Sequence, residues 1–202
     1  MKDWTGNKNS VFKTLGASNH TDKDRETNDY YATHPSAIDK LKAEFNIPNL
    51  VWEPACGEGH LSKRLIETGH SVFSSDLIDR GYGEVLDFLS IEAYQYQGNF
   101  PCILTNPPFR YATEFVLRAL DLLPNKGCAC FLLKTTALEG KNRYESIYRN
   151  SRPHYVFQFI ERLLCAKNGD FDGMVSGGGS AVAYSWFVFE KGYKGETILE
   201  WI

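Results

Sequence analysis

The 202-residue sequence lacks the patterns that mark a disulfide framework or a common metal site. Its five cysteines are an odd number and contain no C-x-x-C pair, and Cys102, Cys128 and Cys130 fall in apolar, strand-like runs. This usage predicts reduced core thiols in a cytoplasmic protein rather than a set of disulfides. The histidines are scattered without the spacing of metal ligands, and we therefore expect no metal site.

Signals for secretion and for membrane insertion are also missing. The residues from Met1 to Asn7 are too polar for a signal peptide, and no apolar run approaches the length that spans a bilayer. The sequence therefore predicts a protein that remains in the cytoplasm and has no membrane partner.

The chain has no large excess of charge of either sign. Its formal net charge of -3 argues mildly against a general nucleic-acid binder. With 43% apolar and 23% charged residues, the composition is that of an ordinary globular domain with one substantial core. Residues 1–28 are rich in Asn, Lys, Asp and Thr and predict an irregular amino-terminal arm, so the domain is expected over residues 29–202.

Apolar periodicity in that domain predicts alternating strands and helices. The expected helices are 36–45, 60–68 and 111–123, and the expected strands are 50–53, 71–75, 101–105 and 127–133. The last of these strands is almost continuously apolar, which is typical of a central parallel strand covered on both faces. Runs at 155–160 and 183–189 are expected to close the sheet as a hairpin. The alternation predicts a doubly wound α/β fold.

A glycine turn follows the strand at residues 50–53. Gly57 and Gly59 allow the backbone to approach a ligand closely, at the sheet edge where open α/β folds bind ligands. The turn lacks the third glycine of a dinucleotide fingerprint and the Gly-Lys-Ser/Thr of a phosphate loop, and Glu53 argues against a phosphate ligand. Asp76 ends the next strand, at the position from which such folds bind ribose hydroxyls. These features favour an adenosyl ligand without a pyrophosphate.

The tetrapeptide Asn106-Pro107-Pro108-Phe109 directly follows the strand at 101–105. It suits methylation of a planar amino nitrogen, whose lone pair is delocalised. The side-chain oxygen of Asn106 and the carbonyl of Pro107 can accept from the two N–H bonds and release that lone pair. The prolines stiffen the turn, and Phe109 offers a face for a flat base. The alternative is a proline turn that only ends a strand.

Together these motifs resemble those of the class I S-adenosylmethionine-dependent methyltransferases, and among them the amino-methylating DNA methyltransferases. The sequence E-P-A-C-G-E-G-H at 53–60 is similar to their cofactor loop, Asp87 and Phe88 to the pair that flanks the cofactor adenine, and Asn106 to Phe109 to their catalytic tetrapeptide. The order of these motifs resembles the gamma arrangement. The resemblance implies a Rossmann-like fold with a mixed, mostly parallel seven-stranded sheet, S-adenosylmethionine as cofactor, and transfer to N6 of adenine in DNA.

The resemblance also implies the site residues. Residues 29–35 are similar to the aromatic and Thr/Pro segment that precedes the cofactor loop in these enzymes. The implied catalytic residues are Asn106, Pro107, Pro108 and Phe109. The implied cofactor contacts are Tyr31, Thr33, Glu53, Pro54, Ala55, Cys56, Gly57, Gly59, Asp76, Leu77, Asp87, Phe88 and Asn106.

The substrate leaves alternatives open, because the chain after the catalytic segment is short for a family with a sizeable recognition domain. Cytosine N4 in DNA, adenine in RNA and a protein glutamine would use the same acceptor pair. A binding protein that keeps the cofactor fold without turnover is the non-enzymatic alternative. Both a monomer and a homodimer are compatible with the sequence.

Residues 141–181 are the candidate DNA-facing insertion. From Lys134 to Lys167 there are seven basic residues against three acidic ones, and a glycine-rich stretch follows at 176–180. The predicted nucleic-acid contacts are Lys141, Arg143, Arg149, Arg152, Arg162 and Lys167. A solvated helical face is the alternative interpretation of this charge pattern.

Overall fold

The computed structural model describes residues 31–167, 171 and 182–202. The predicted arm at 1–28 and the glycine-rich stretch at 176–180 lie outside the described residues, so the expectations for both stay predictions.

An eight-stranded mixed sheet forms the centre of the described chain. Its strands are β2 (Leu50–Glu53), β3 (Ser71–Asp76), β4 (Glu84–Val85), β5 (Cys102–Thr105), β6 (Cys128–Lys134), β7 (Tyr155–Gln158), β9 (Tyr184–Glu190) and β10 (Ile198–Trp201). Two further strands, β1 (Tyr31–Thr33) and β8 (Cys165–Lys167), form a separate pair. The strand order of the large sheet is β10-β7-β9-β6-β5-β2-β3-β4. Strand β9 runs antiparallel to both its neighbours, and the other adjacent pairs of the large sheet are parallel. This confirms the predicted α/β class and the mixed, mostly parallel sheet.

The expected number of seven strands was one too few. Strand β4 has only two residues, too short for a hydrophobic period to register. All four residues of β10 are exposed, so its sequence has no alternation of buried and exposed residues from which a strand could be predicted. The predicted antiparallel pairing of the last two runs is confirmed for β7 and β9. They do not close the sheet as a hairpin, because β8 intervenes between them in the chain and β10 lies beyond β7 as the edge strand.

Helices cover both faces of the sheet. They are α1 (Ser36–Glu44), α2 (His60–Glu67), α3 (Ala112–Leu122) and the short α4 (Lys141–Arg143), which continues into a π-helical turn at Tyr144–Tyr148. No helix within the described part of the chain is both long and apolar enough to cross a membrane.

Strand β5 shows how the sheet separates two apolar layers. Cys102 and Leu104 pack into the layer that contains Leu65 of α2, whereas Ile103 packs into the layer that contains Phe115 of α3. Successive side chains of a strand point to opposite faces, so an uninterrupted apolar run is buried on both sides. The doubly wound arrangement follows from this pattern, and it leaves the carboxyl ends of the parallel strands free to carry polar groups.

The small sheet places the first described residues over that carboxyl edge. Strand β1 pairs antiparallel with β8, with Thr33 opposite Cys165, and the next residue, His34, donates its backbone N–H to Leu164 O at 3.0 Å. The side chain of Asn106 donates to two groups of β1, the Thr33 hydroxyl and the Tyr31 carbonyl. Segments far apart in the sequence therefore meet at the end of β5.

Candidate active site

A cavity of about 440 Å³ opens at the carboxyl ends of β2, β3 and β5. Its size is within the range of about 300–1,000 Å³ that is usual for small-molecule sites. The predicted site residues that line it are Tyr31, Thr33, Glu53, Pro54, Ala55, Cys56, Asp76, Leu77, Asp87, Phe88, Asn106, Pro107, Pro108 and Phe109. The structure thus gathers the implied cofactor and catalytic positions around one cavity.

Gly57 and Gly59 are predicted cofactor contacts that do not line the cavity. Both are buried, and both have positive φ, 54° and 80°. A Cβ at Gly59 would lie 2.3 Å from the ring of Tyr82, which covers the turn. The glycines therefore shape the turn behind the cavity wall, and direct contact between them and a ligand stays a prediction.

The carboxylate of Asp76 fixes the glycine turn to the end of β3. Its Oδ2 accepts the backbone N–H of Gly57 at 2.8 Å, and its Oδ1 accepts that of Ile78 at 3.0 Å. A carboxylate has about four acceptor positions, so hydroxyl donors can still bind while both backbone bonds persist. Asp87 also accepts a backbone hydrogen bond: its Oδ1 accepts the Leu89 N–H at 2.8 Å.

Glu53 is the most strongly perturbed carboxyl group in the cavity wall. It is 2% exposed, and burial raises its pKa to about 8, with a smaller contribution from the negative charge of Asp76. The Ser62 hydroxyl donates to Glu53 Oε2 and partly offsets this effect. Ser62 Oγ also lies 2.6 Å from Ser74 Oγ. Glu53 is consequently mostly neutral at pH 7, and a cation bound beside it would favour its ionised form.

Cys56 lines the cavity as an unreactive thiol. Burial raises its pKa to about 12, and the nearby carboxyl groups of Glu53 and Asp76 act in the same direction. Its Sγ lies 3.6 Å from Tyr82 O as a weak donor. Because the thiolate is the nucleophilic form, this side chain contributes packing rather than covalent chemistry.

Asn106 occupies the end of β5 with a fixed orientation of its amide. Its Nδ2 donates to Thr33 Oγ1 at 2.9 Å and more weakly to Tyr31 O at 3.4 Å. A backbone carbonyl can only accept, so the Tyr31 contact identifies the nitrogen side of the amide. The other atom, Asn106 Oδ1, is buried and has no hydrogen-bond partner in the described structure. An unpaired buried acceptor costs about 1–3 kcal/mol and is satisfied by a ligand that brings an N–H donor.

Phe109 lies in an aromatic group beside this amide. Its ring centroid is 6.1 Å from that of Tyr31, with the two planes 27° apart, and 6.0 Å from that of Tyr184. Pro108 is extended, with φ -54° and ψ 123°, and Phe109 begins a 3-10 turn that ends at Tyr111. The prolines thus project Phe109 away from the strand end and hold it next to Asn106.

Several cavity residues were not singled out from the sequence. They are Ala32, His60, Leu61, Ile78, Arg80, Leu89, Arg110, Tyr111 and Phe115. His60 directly follows the glycine turn, which was a usable signal, and burial lowers its pKa. The rings of His60 and His34 both meet Phe171 edge-on, with centroids 5.6 and 5.2 Å from it.

The predicted nucleic-acid contacts lie outside the cavity lining. Arg143 is engaged within its own segment, where its Nη1 donates to Ala137 O at 3.0 Å, and Arg149 pairs with Glu145 at 2.5 Å. Lys141, Arg152 and Arg162 are exposed. Lys167 belongs to β8, where it lies opposite Tyr31 of β1 in the strand pairing. A role of these side chains in binding DNA stays a prediction, and the Arg143 guanidinium also supports the turn at Thr135–Leu138.

The three cysteines of the apolar runs come together in the core. Cys102, Cys128 and Cys130 are buried free thiols, and their Sγ atoms all lie within 4.8 Å of one another. The pairing of Cys102 with Cys128 across β5 and β6 creates this cluster. Three thiols at such distances could hold a soft metal ion. Sequence spacing gave no sign of it, because strand register and not chain separation brings the thiols together.

Comparison with solved structures gives the fold of class I S-adenosylmethionine-dependent methyltransferases. A Listeria monocytogenes protein assigned to that class matches with a TM-score of 0.59 and 13% identity, over 96% of this chain and 70% of that one. A Vibrio vulnificus protein assigned as the modification subunit of a type I restriction enzyme matches with a TM-score of 0.60 and 15% identity, over 99% of this chain and 54% of that one. The M protein of the type I restriction enzyme EcoKI matches with a TM-score of 0.57 and 14% identity, over 83% of this chain and 45% of that one.

This chain therefore spans about half the length of those two modification proteins. No family model and no curated protein matches the sequence. At identities this low the likeness defines the fold, and the chemistry of the cavity has to be argued from its own residues.

Proposed function

We propose that this protein transfers a methyl group from S-adenosylmethionine to the N6 amino group of adenine in DNA. The observation that carries the proposal is the unpaired Asn106 Oδ1, a buried acceptor held by Thr33 at the edge of the cavity. An exocyclic amino group brings the N–H donor that this oxygen lacks. Two of the solved structures with the same fold are a modification subunit and an M protein of type I restriction enzymes. This favours DNA among the possible carriers of such an amino group.

The other half of the cavity fits the cofactor. Asp76 retains acceptor positions for ribose hydroxyls at the carboxyl edge of β3, and Leu77 and Phe88 provide apolar surface for an adenine ring. Glu53 offers a carboxyl group that can ionise beside the positive end of the ligand. When bound, S-adenosylmethionine supplies an electrophilic methyl group.

The residues of the chain prepare the amino group for attack. A base flipped out of the duplex stacks on Phe109, with its amino group directed at Asn106 Oδ1 and the Pro107 carbonyl. These two acceptors form hydrogen bonds with the N–H groups of the base, which shifts the nitrogen toward a tetrahedral geometry and frees its lone pair. Thr33 keeps the amide oxygen from rotating away, and the cavity walls hold the amino nitrogen in line for transfer. The methylated nitrogen then loses a proton to solvent, so no strong general base is needed.

Methyl transfer from labelled S-adenosylmethionine to a panel of substrates tests the proposal. Duplex DNA, single-stranded DNA, RNA and protein are compared, and the modified DNA is digested to nucleosides for mass spectrometry. We expect N6-methyladenine in DNA. N4-methylcytosine would keep the mechanism and overturn the base, label in RNA adenine or protein glutamine would overturn the substrate, and cofactor binding without transfer to any member of the panel would favour the non-enzymatic alternative.

The variant Asn106→Ala separates chemistry from binding. We expect turnover to fall by about two to three orders of magnitude, because one preorganised acceptor at the reacting atom is lost. The affinity for S-adenosylhomocysteine, measured by calorimetric titration, should stay at the wild-type value. Wild-type turnover in this variant would show that the tetrapeptide is only a strand-ending turn.

A further inference from the structure

Lys134 places a positive charge directly against the proposed base-stacking residue. It is the last residue of β6, and its Nζ lies over the Phe109 ring, 4.2 Å from the centroid. The side chain is partly buried, and it makes no hydrogen bond or salt bridge to any residue that the structure describes. An ammonium group that gives up part of its hydration without an acidic partner can still bind an anion.

A second cation belongs to the same end of the cavity. Arg110 follows Phe109 in the chain, lines the cavity, and has its Cζ 5.6 Å from the ring centroid of Tyr111. Its guanidinium likewise has no hydrogen bond or ion pair within the described ranges. Tyr111 is 43% exposed, so this corner combines cationic and aromatic groups at the mouth of the cavity.

The charges of the cavity are divided between its two ends. The lining carboxyl groups are Glu53 and Asp76, the last residues of β2 and β3, and Asp87, which follows β4. The segment after β5 contributes Arg110 and no acid to the lining. Arg80 also lines the cavity, but it lies in the segment between β3 and β4, and it has contacts within the protein. The end that holds the proposed target is therefore the end where an anion is attracted.

We propose that Lys134 and Arg110 form a phosphate subsite for the nucleotide whose base stacks on Phe109. This inference rests on the proposed function and narrows its substrate to a nucleotide within a polynucleotide chain. The Lys134 ammonium lies over the ring on a flexible side chain, so it can move from the ring to a phosphate beside the base. A glutamine side chain carries no phosphate and would leave both cations unpaired. The alternative is that Lys134 only packs on the ring, a contact worth about 0.5–1 kcal/mol at exposed sites.

Binding of an adenine-containing single-stranded oligonucleotide tests the subsite. Fluorescence anisotropy is measured at several salt concentrations with S-adenosylhomocysteine present, for the wild type and for Lys134→Met and Arg110→Met. Methionine keeps an apolar stem on the aromatic rings and removes only the charge. Lys126→Met is the matched control, because Lys126 is an exposed lysine at the opposite, amino-terminal edge of β6.

Each of the two variants should bind the oligonucleotide about five- to tenfold more weakly, and the slope of log affinity against log salt should fall by about 0.7, the value for one phosphate of a single strand. Lys134→Arg should retain most of the slope. Lys126→Met should match the wild type, and all variants should bind S-adenosylhomocysteine normally, which checks that they are folded.

The outcomes separate this inference from the proposed function. An unchanged salt slope in Lys134→Met and Arg110→Met, with DNA methylation by the wild type intact, overturns the phosphate subsite alone. A reduced slope with no methyl transfer by the wild type supports the subsite and overturns the methyltransferase activity. A lower rate in Lys134→Met without any change in slope overturns the subsite, since it shows that Lys134 only supports the Phe109 ring.

Discussion

Replacing Glu53 by Gln should change how the stability of the protein depends on pH. In the folded protein the pKa of Glu53 is about 8, mainly because of burial, against 4.5 for the free side chain. Between these two values the unfolded chain ionises at this position while the folded chain stays protonated. The contribution of Glu53 to the unfolding free energy is therefore largest below the lower pKa, falls as the pH rises through this window, and levels off above about pH 8.

The size of the effect follows from the same two pKa values. A tenfold change in an ionisation constant corresponds to about 1.4 kcal/mol, so a pKa of about 8 against 4.5 gives an upper bound of about 5 kcal/mol. Polar relaxation around a group at the wall of an open cavity reduces this, and we expect about 1–3 kcal/mol. Glutamine has nearly the same shape and does not titrate, so the variant removes this contribution while keeping an acceptor for Ser62.

Urea unfolding at pH 5, 6.5 and 8.5, without cofactor, measures the effect. The unfolding free energy of Glu53→Gln minus that of the wild type should rise by the expected amount between pH 5 and pH 8.5. Titration of other groups, including the buried Cys56 and the partly buried His60, is common to both proteins and largely cancels in the difference. Glu200→Gln, on an exposed strand, is the control and should give a flat difference. A flat difference for Glu53→Gln as well would show that Glu53 ionises normally in the folded protein.

Two further variants address the cofactor and the catalytic amide. Asp76→Asn should weaken S-adenosylhomocysteine binding by about 10- to 100-fold in a calorimetric titration. The reason is that the charged acceptor for the Gly57 N–H and for the proposed ribose hydroxyls is lost. An unchanged affinity would contradict the proposed contact between Asp76 and the ribose. Thr33→Val removes the nearer of the two acceptors for Asn106 Nδ2, and we expect kcat for DNA methylation to fall about tenfold. Wild-type kcat in Thr33→Val would mean that the amide is oriented without this hydroxyl.

The central strands and helices could be predicted because their apolar patterns are complete. Strand β2 has the predicted bounds, and α2 and α3 differ from prediction by one or two residues. Each of these segments buries a continuous apolar face, which fixes its period. Strand β10 has no buried face, and β1 and β8 are three residues each and depend on pairing with each other. Interactions between distant segments, rather than local preference, form these strands.

The candidate site also has a part that could be predicted from the sequence and a part that could not. Residues in compact motifs, such as Asn106 and Asp76, were predicted together and line one cavity. The side-chain amide of Asn106 is oriented by Thr33 and Tyr31, more than seventy residues away in the chain. The motif identifies the Asn106 side-chain oxygen as the atom proposed to accept a hydrogen bond from a substrate. Only the packing of β1 against the end of β5 shows why that atom is unpaired.

The basic stretch from Lys134 to Lys167 shows what a count of charges omits. Arg143 and Arg149 contribute to the excess, but one donates to backbone carbonyls and the other pairs with Glu145, so much of their charge is already used within the protein. Charge reversal at Arg143 would first disturb the turn at Thr135–Leu138, and a loss of DNA binding in that variant would not identify a phosphate contact. Lys134 lies at the start of the same stretch, and its only partner among the residues that the structure describes is an aromatic ring. Because its charge has no acidic partner in the described chain and lies over the Phe109 ring, Lys134 is the sharper test of the proposed phosphate contact.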